Sequence, residues 1–191
     1  MTAREEQAAA TRDALMAAAR ELFEERGYGG VGTEEIVRRA GVTRGALYHH
    51  FSDKRDLFRA VHEELEQEIV AAIGATMTEV EDPRALMEAG LRAFLDACTD
   101  PAMIRISLLD APTVLGWAEW REIDERYGLG LVSFGLQNLL GESAEDVRPL
   151  AHLVLGALGE AAMLIANADD PAAARRDVEP ALLGLLDGLR A

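Results

Sequence analysis

Apolar residues recur along this chain at intervals of three and four from near its start to near its end, and no stretch alternates with the period of a strand. Leu15, Ala19, Leu22 and Phe23 share one side of a helix predicted over about residues 5–26. Beyond the glycine-rich loop at 27–32, Ile36, Val37 and Ala40 give a short helix its apolar side. Thr33 is its expected N-cap, with Glu34 and Glu35 in the first turn, where the helix dipole favours negative charge. Gly41 ends this helix, since glycine alone enters the left-handed conformation without steric cost. Val42 is expected between the two helices, and Thr43 caps the next, in which Leu47 and Phe51 face inward. Ser52 and Asp53 then cap a segment that starts at Lys54. Further helices are predicted over about residues 53–80, 83–99, 101–113, 116–140, 144–167 and 172–190, punctuated by prolines and glycines. The predicted fold is all-α, with an N-terminal three-helix head over residues 1–53 and a helical body over residues 54–191.

The head carries the chemistry. Two short helices joined by a glycine turn form a helix-turn-helix, and the second presents Arg44, Gly45, Tyr48 and His49 on a face beside its buried one. Such a face fits the major groove of double-stranded DNA. Gly45 within a helix costs about 1 kcal/mol against alanine, which close approach of the backbone to DNA would explain.

The run TEEIVRRAGVTRGALYHHFSDK at 33–54 resembles the DNA-binding head of the tetracycline-repressor (TetR) family. The likeness extends through ARELFEERGYGGVGTEEI before it and KRDLFRAVHEELE after it, covering about residues 11–65. It rests on the joint spacing of Phe23, Gly27, Thr33, Ile36, Ala40, Gly41, Val42, Leu47, Tyr48, Phe51, Lys54 and Leu57. A weaker likeness, LLDAPTVLGWAEWREIDERYGLG, points to the family's ligand domain. The resemblance implies a ligand-responsive transcriptional repressor that binds a palindromic operator as a homodimer and is released by a small apolar or aromatic effector. It implies no cofactor, no metal and no enzymatic activity.

Seven residues are expected at the DNA: Thr33, Thr43, Arg44, Gly45, Tyr48, His49 and Lys54. The arginine fork of Arg44 matches guanine O6 and N7 and is the expected base reader. Tyr48, His49, Thr33 and Thr43 suit phosphate oxygens, or in the case of Tyr48 a thymine methyl, and Lys54 would add a point charge to the backbone. His50 is left between packing and capping. Glu34 departs from the tetracycline repressor, which has a base-reading arginine after the matching threonine, so base reading is expected to rest on the second helix.

Charge sharpens the picture. The chain has 19 basic and 34 acidic residues, a net charge of −15. Residues 1–55 hold 9 of each, whereas the remainder holds 10 basic against 25 acidic, so the whole excess lies outside the head. DNA and anionic membranes would repel the body and leave the head as the docking side. Lys54 is the only lysine, at the place where the family has a phosphate-contacting one.

In the body, Phe94, Met103, Trp117, Trp120, Tyr127 and Met163 are the expected effector contacts, with the two tryptophans preferred. The same residues at helical spacing could simply fill a core, and both readings stand at this point. Asp110 is read as a polar contact, a cap or a surface residue, and His152 as a satisfied core histidine. Stripes on the last two helices, Leu150, Leu153, Val154, Ala157, Leu158, Ala161 and Leu164 or Ile165, then Leu182, Leu185, Leu186 and Leu189, have two readings as well. They fill the monomer's core, or they form the four-helix dimer interface that the family resemblance implies.

Other chemistry is thinly supported. Glu119, Glu122, Asp124 and Glu125 read as a solvated face with arginine partners, adjacent His49 and His50 make a poor metal pair, and Cys98 stands alone. No phosphate-binding glycine loop appears. The charged N-terminus lacks a signal core and no run approaches about 18 apolar residues, so a cytoplasmic protein without membrane contact is expected. Two alternatives remain: a helical small-molecule-binding protein or enzyme with a vestigial head, and a dimer that recruits other proteins.

Overall fold

A computed structural model describes residues 2–78, 80–141 and 146–189, and every regular element among them is helical. The elements are α1 (Ala3–Arg26), a short 3-10 turn (Tyr28–Gly30), α2 (Thr33–Arg39), α3 (Arg44–His50), α4 (Lys54–Met77) and α5 (Pro83–Ala97). A π-helical stretch (Met103–Asp110) follows and runs into α6 (Ala111–Val114), then come α7 (Trp117–Leu140), α8 (Arg148–Ala166) and α9 (Pro171–Gly188). The parts of the last two predicted helices at 144–145 and 190 lie outside the described residues.

Local chemistry sets most boundaries. Thr2 and Glu5 form a capping box at the start of α1. Thr43, Asp53, Asp82 and Asp170 each accept a backbone N–H three residues on, starting α3, α4, α5 and α9. The cap of α2 is Gly32, not Thr33, which is the first residue of the helix itself. Gly41 takes φ of 68°, the left-handed turn between α2 and α3.

The π-helical stretch was not foreseen. Ala111 N–H reaches back five residues to Ile106 O, and the next residue, Pro112, has no N–H to continue an ordinary ladder. The wider turn shares one segment between two cores. Ile106 and Ala111 enter a first core with Leu15, Leu22, Phe23, Ile36, Leu47, Leu57, Phe58 and Val61. Met103 and Leu108 enter a second core built from α5, α7, α8 and α9.

The division at 53/54 thus falls where helix α4 starts, but packing does not divide there. Leu57, Phe58 and Val61 complete the head core, and Leu115, Trp120 and Ile123 of the body close it from the other side. α8 corrects a second expectation: its 19 residues, of mean hydropathy 1.6, are long and apolar enough to cross a membrane. Only 33% of its apolar stretch is buried within the chain. One face, Ala151, Leu155, Leu158, Ala162 and Ile165, is buried, while Leu153 and Leu164 stay exposed, as does Leu185 on α9.

Candidate DNA-contact face and effector cavity

Helix α3 is anchored by Leu47 and Phe51, both buried, and Val42 packs against the same core. With that side fixed, Thr43, Arg44, Gly45, Tyr48 and His49 are all exposed, and Thr33 at the start of α2 is half-buried. A Cβ on Gly45 would meet only Thr43 Oγ1, at 3.9 Å, so nothing inside the protein requires glycine there. Arg44 is not a free cation. Its Nη1 donates to Glu34 Oε1 at 2.8 Å and its guanidinium lies 5.6 Å from the Tyr48 ring centre. Glu34 thus holds the arginine beside α3. His50 is half-buried, its ring 5.2 Å from that of His49.

Lys54 sits differently from expectation. Its Nζ donates to Tyr28 O and Val31 O, each at 2.9 Å, and lies 3.8 Å from the Tyr28 ring centre. Burial lowers its pKa from the usual lysine value. Rather than a free point charge, it is the clamp that holds the loop between α1 and α2.

The same loop is tied to the body. Tyr28 N–H donates to Asp110 Oδ2 at 2.6 Å, and Arg105 Nε lies 3.6 Å from that oxygen. The Arg105 guanidinium occupies the space a side chain at Gly27 would need, and Gly27 has φ of 68°. Arg55, at the start of α4, donates to Val114 O at 3.1 Å, Leu115 O at 2.9 Å and Glu119 Oε2 at 2.6 Å. Asp110 is therefore a link between body and head.

A cavity of about 100 Å³ lies among α4, α5, the π-helical stretch, α7, α8 and α9. Phe94, Met103 and Trp120 line it. Trp117, Tyr127 and Met163 do not. Trp117 is 68% exposed, although its ring is 4.9 Å from that of Trp120. Tyr127 packs on the first core and its hydroxyl accepts from Gln67 Nε2 at 2.9 Å; Met163 packs on the second core. Trp120 is held by its Nε1, which donates to Ser107 O at 3.1 Å. His152 is not a core histidine: it is partly exposed, 3.6 Å from Glu125.

Two acids face this cavity: Glu66 of α4, which sequence reading passed over, and Asp124 of α7, which it placed on a solvated face and which is instead turned inward. Burial, then the charge of Asp124, pushes the Glu66 carboxyl up to about 7, while Ser107 pulls weakly the other way. Burial likewise raises Asp124 to about 6 against the pull of Arg121, 2.7 Å away. His62, one turn before Glu66, is fully buried, lies 2.9 Å from Ser107 Oγ through Nδ1, and is lowered to about 4 by burial. A signal for both α4 residues was present: His62 and Glu66 interrupt the apolar stripe Phe58, Leu65, Ile69 and Ile73. Like Asp124, the other acids of the α7 cluster pair with arginines, Glu119 with Arg55, Glu122 with Arg126 and Glu125 with Arg121. Among the described residues no group of three potential metal ligands is found.

Residues 15–61 match the model for bacterial regulatory proteins of the tetR family, and residues 84–189 match that for the tetracyclin repressor-like C-terminal domain. The chain belongs to the TetR family. It is a helix-turn-helix transcriptional regulator, a class distinct from enzymes. The TetR relatives and structures give the same account. The transposon Tn10 TetC protein of Escherichia coli is 31% identical over 149 residues, 76% of this chain and 75% of that one. The transcriptional activator FasR of Mycolicibacterium smegmatis is 38% identical over 85 residues, 44% of this chain and 39% of that protein. The transcriptional repressor BepR of Brucella suis is 49% identical over 55 residues, 29% of this chain and 26% of that protein. A solved TetR-family regulator from Pectobacterium atrosepticum superposes with a TM-score of 0.87 at 35% identity, over 99% of this chain and 97% of that one. RolR in complex with resorcinol superposes with a TM-score of 0.65 at 25% identity, over 95% of this chain and 89% of that one.

Proposed function

We propose that this TetR-family regulator is a homodimeric repressor that docks on an approximately palindromic operator through α2 and α3. A small apolar or aromatic effector entering the body cavity releases it. The observation that carries this reading is the outer face of α3. Thr43, Arg44, Tyr48 and His49 are exposed together there, and it keeps a glycine for which the protein interior gives no reason. Thr33, Thr43, Tyr48 and His49 would contact phosphates, Arg44 would leave Glu34 to read a base, and Lys54 would act mainly by holding the loop beside α2.

Dimerisation is supported by the unpartnered face of α8 and α9, where Leu153, Leu164 and Leu185 are exposed among small residues. A two-fold dimer would set two reading helices roughly 34–36 Å apart, one turn of DNA. Such a partner also explains α8 without a membrane, in keeping with a cytoplasmic protein. Effector signals have two routes. α4 lines the cavity with Ile69, Ile73 and Met77 and completes the head core with Leu57 and Phe58. The π-helical stretch faces the cavity with Met103 and Leu108 and holds the head loop with Arg105 and Asp110. Operator and effector must then weaken each other by the same factor.

The test is selection of DNA from a random pool, followed by a salt series on the selected site with Arg44→Ala and Glu34→Gln. A specific site whose affinity falls steeply with salt is expected, with Arg44→Ala losing sequence preference and Glu34→Gln binding more tightly. A reporter gene behind that site decides the sense of regulation, which differs among the relatives. Failure to prefer any sequence in the pool would refute the reading.

A further inference from the structure

The cavity has a polar end of one sign only. Its lining is apolar apart from Glu66 and Asp124, and no arginine, lysine or histidine lines it among the described residues. Asp124 has Arg121 at 2.7 Å, which offsets part of its charge. Glu66 has no such neighbour. It is 8% exposed, makes no hydrogen bond of ordinary length among the described residues, and the nearest basic atom is His62 Nδ1 at 3.7 Å. Ser107, whose hydroxyl lies 2.9 Å from His62 Nδ1, lowers the Glu66 pKa as a hydrogen-bonding neighbour but brings no charge. A carboxylate in this position, on the wall of a cavity and without a cationic partner, costs stability unless something else offsets its charge.

We infer that the effector is an apolar organic cation, such as an alkyl- or arylalkyl-ammonium, whose charged nitrogen sits between Glu66 and Asp124 while its carbon part fills the cavity. This rests on the reading of the cavity as the effector site and names the ligand's class. An anionic effector of equal size would meet two carboxyl groups and no cation. A neutral one could donate hydrogen bonds to the Glu66 carboxylate but would leave its charge unopposed. The other groups facing Glu66 agree with this polarity. On α4, His62 is kept neutral by burial; on α7, Asp124 is a second acid; just after α5, Cys98 is buried with its thiol pKa raised; Arg121, Glu125 and His152 pair with Asp124 or with one another. Since burial holds Glu66 partly protonated near neutrality, a cation gains affinity as the pH rises past about 7.

The test uses the full chain and three molecules with one carbon skeleton: 4-phenylbutylammonium, 4-phenylbutanol and 4-phenylbutanoate. Binding is read by calorimetry at pH 8 and again at pH 6. The ammonium is expected to bind about tenfold or more tighter than the alcohol, the scale of a charge-assisted contact, with the butanoate weakest. Its affinity should fall towards pH 6 while that of the alcohol stays flat. Glu66→Gln should remove most of the preference of ammonium over alcohol and most of the pH dependence. Asp124→Asn is the second variant, and circular dichroism on both checks folding. Equal or tighter binding of the alcohol or the butanoate would overturn the inference, as would binding of none of the three up to their solubility. Operator affinity measured on the same preparation separates this from the regulatory reading. Release of operator by the butanoate would remove the cation and keep the regulator. A bound ammonium that left the operator untouched would do the reverse.

Discussion

Replacing Gly45 with alanine should make the free protein more stable and the DNA complex weaker, a pair of opposite signs that a purely structural glycine would not produce. Gly45 is the second residue of α3, φ is not in the left-handed region, and the added methyl meets only Thr43 Oγ1 at 3.9 Å. The substitution therefore meets no steric conflict and gains helix propensity, about 0.5–1 kcal/mol, with the lower end favoured so near the helix start. In a chain of this size that raises the melting temperature by about 1–4 °C. On DNA the same methyl stands where backbone and groove approach, so α3 must back away. Losing the fit of even one base contact weakens specific binding by roughly 5- to 150-fold. The assay pairs thermal unfolding, at fixed protein concentration because a dimer's stability depends on it, with fluorescence anisotropy on the selected operator. Gly41→Ala is the control of opposite character, since its φ of 68° makes alanine cost about 1 kcal/mol or more. A Gly45→Ala protein that binds operator like the parent, or that melts earlier, would refute the proposed contact.

Three other outcomes follow from the geometry. Lys54→Ala should destabilise the head by about 1–3 kcal/mol in urea unfolding, because Tyr28 O and Val31 O lose their shared donor. A mere phosphate contact would change only the salt slope of DNA binding. Trp120→Ala should cost about 3–5 kcal/mol, whereas Trp117→Ala, 68% exposed, should stay within about 0.5 kcal/mol in the same assay. Glu66→Gln should stabilise the protein at pH 8 by about 3 kcal/mol, from a carboxyl raised from 4.5 to about 7. In that pH window the folded state holds a proton that the unfolded state has lost, so stability falls as pH rises from about 4.5 through about 7. The gain from Gln should vanish near pH 4, and denaturant titrations across that range check it. An unchanged gain at all pH values would mean that Glu66 does not titrate as described.

Most of the secondary structure was legible because its causes lie within one turn of the residue concerned. Asp53, Asp82 and Asp170 start helices by accepting a backbone N–H three residues on with their own carboxylates, and Gly41 makes its turn through its own φ. The buried pair Leu47 and Phe51 followed from spacing, and with it the outward face of α3. Thr33 shows the limit of such reasoning: threonine is a good cap by type, yet Gly32 took that place and left the helix without a side-chain cap. The π-helical stretch was invisible because its width answers to Pro112 and to two cores that meet on one segment.

The sequence by itself determined the helices, the helix-turn-helix and the residues that α3 presents, since periodicity, capping and chirality act locally. Only the tertiary structure decided which partners those residues take. Trp120 turns inward and Trp117, three residues earlier, outward; Lys54 is spent on a loop 23–26 residues away; Arg44 is held by Glu34 of the preceding helix. Glu66 and Asp124 belong to helices far apart in the chain and become one polar end of a cavity only when α4 and α7 pack together. Burial and charge depend on neighbours from other elements, and no local pattern of hydrophobic and polar positions contains them.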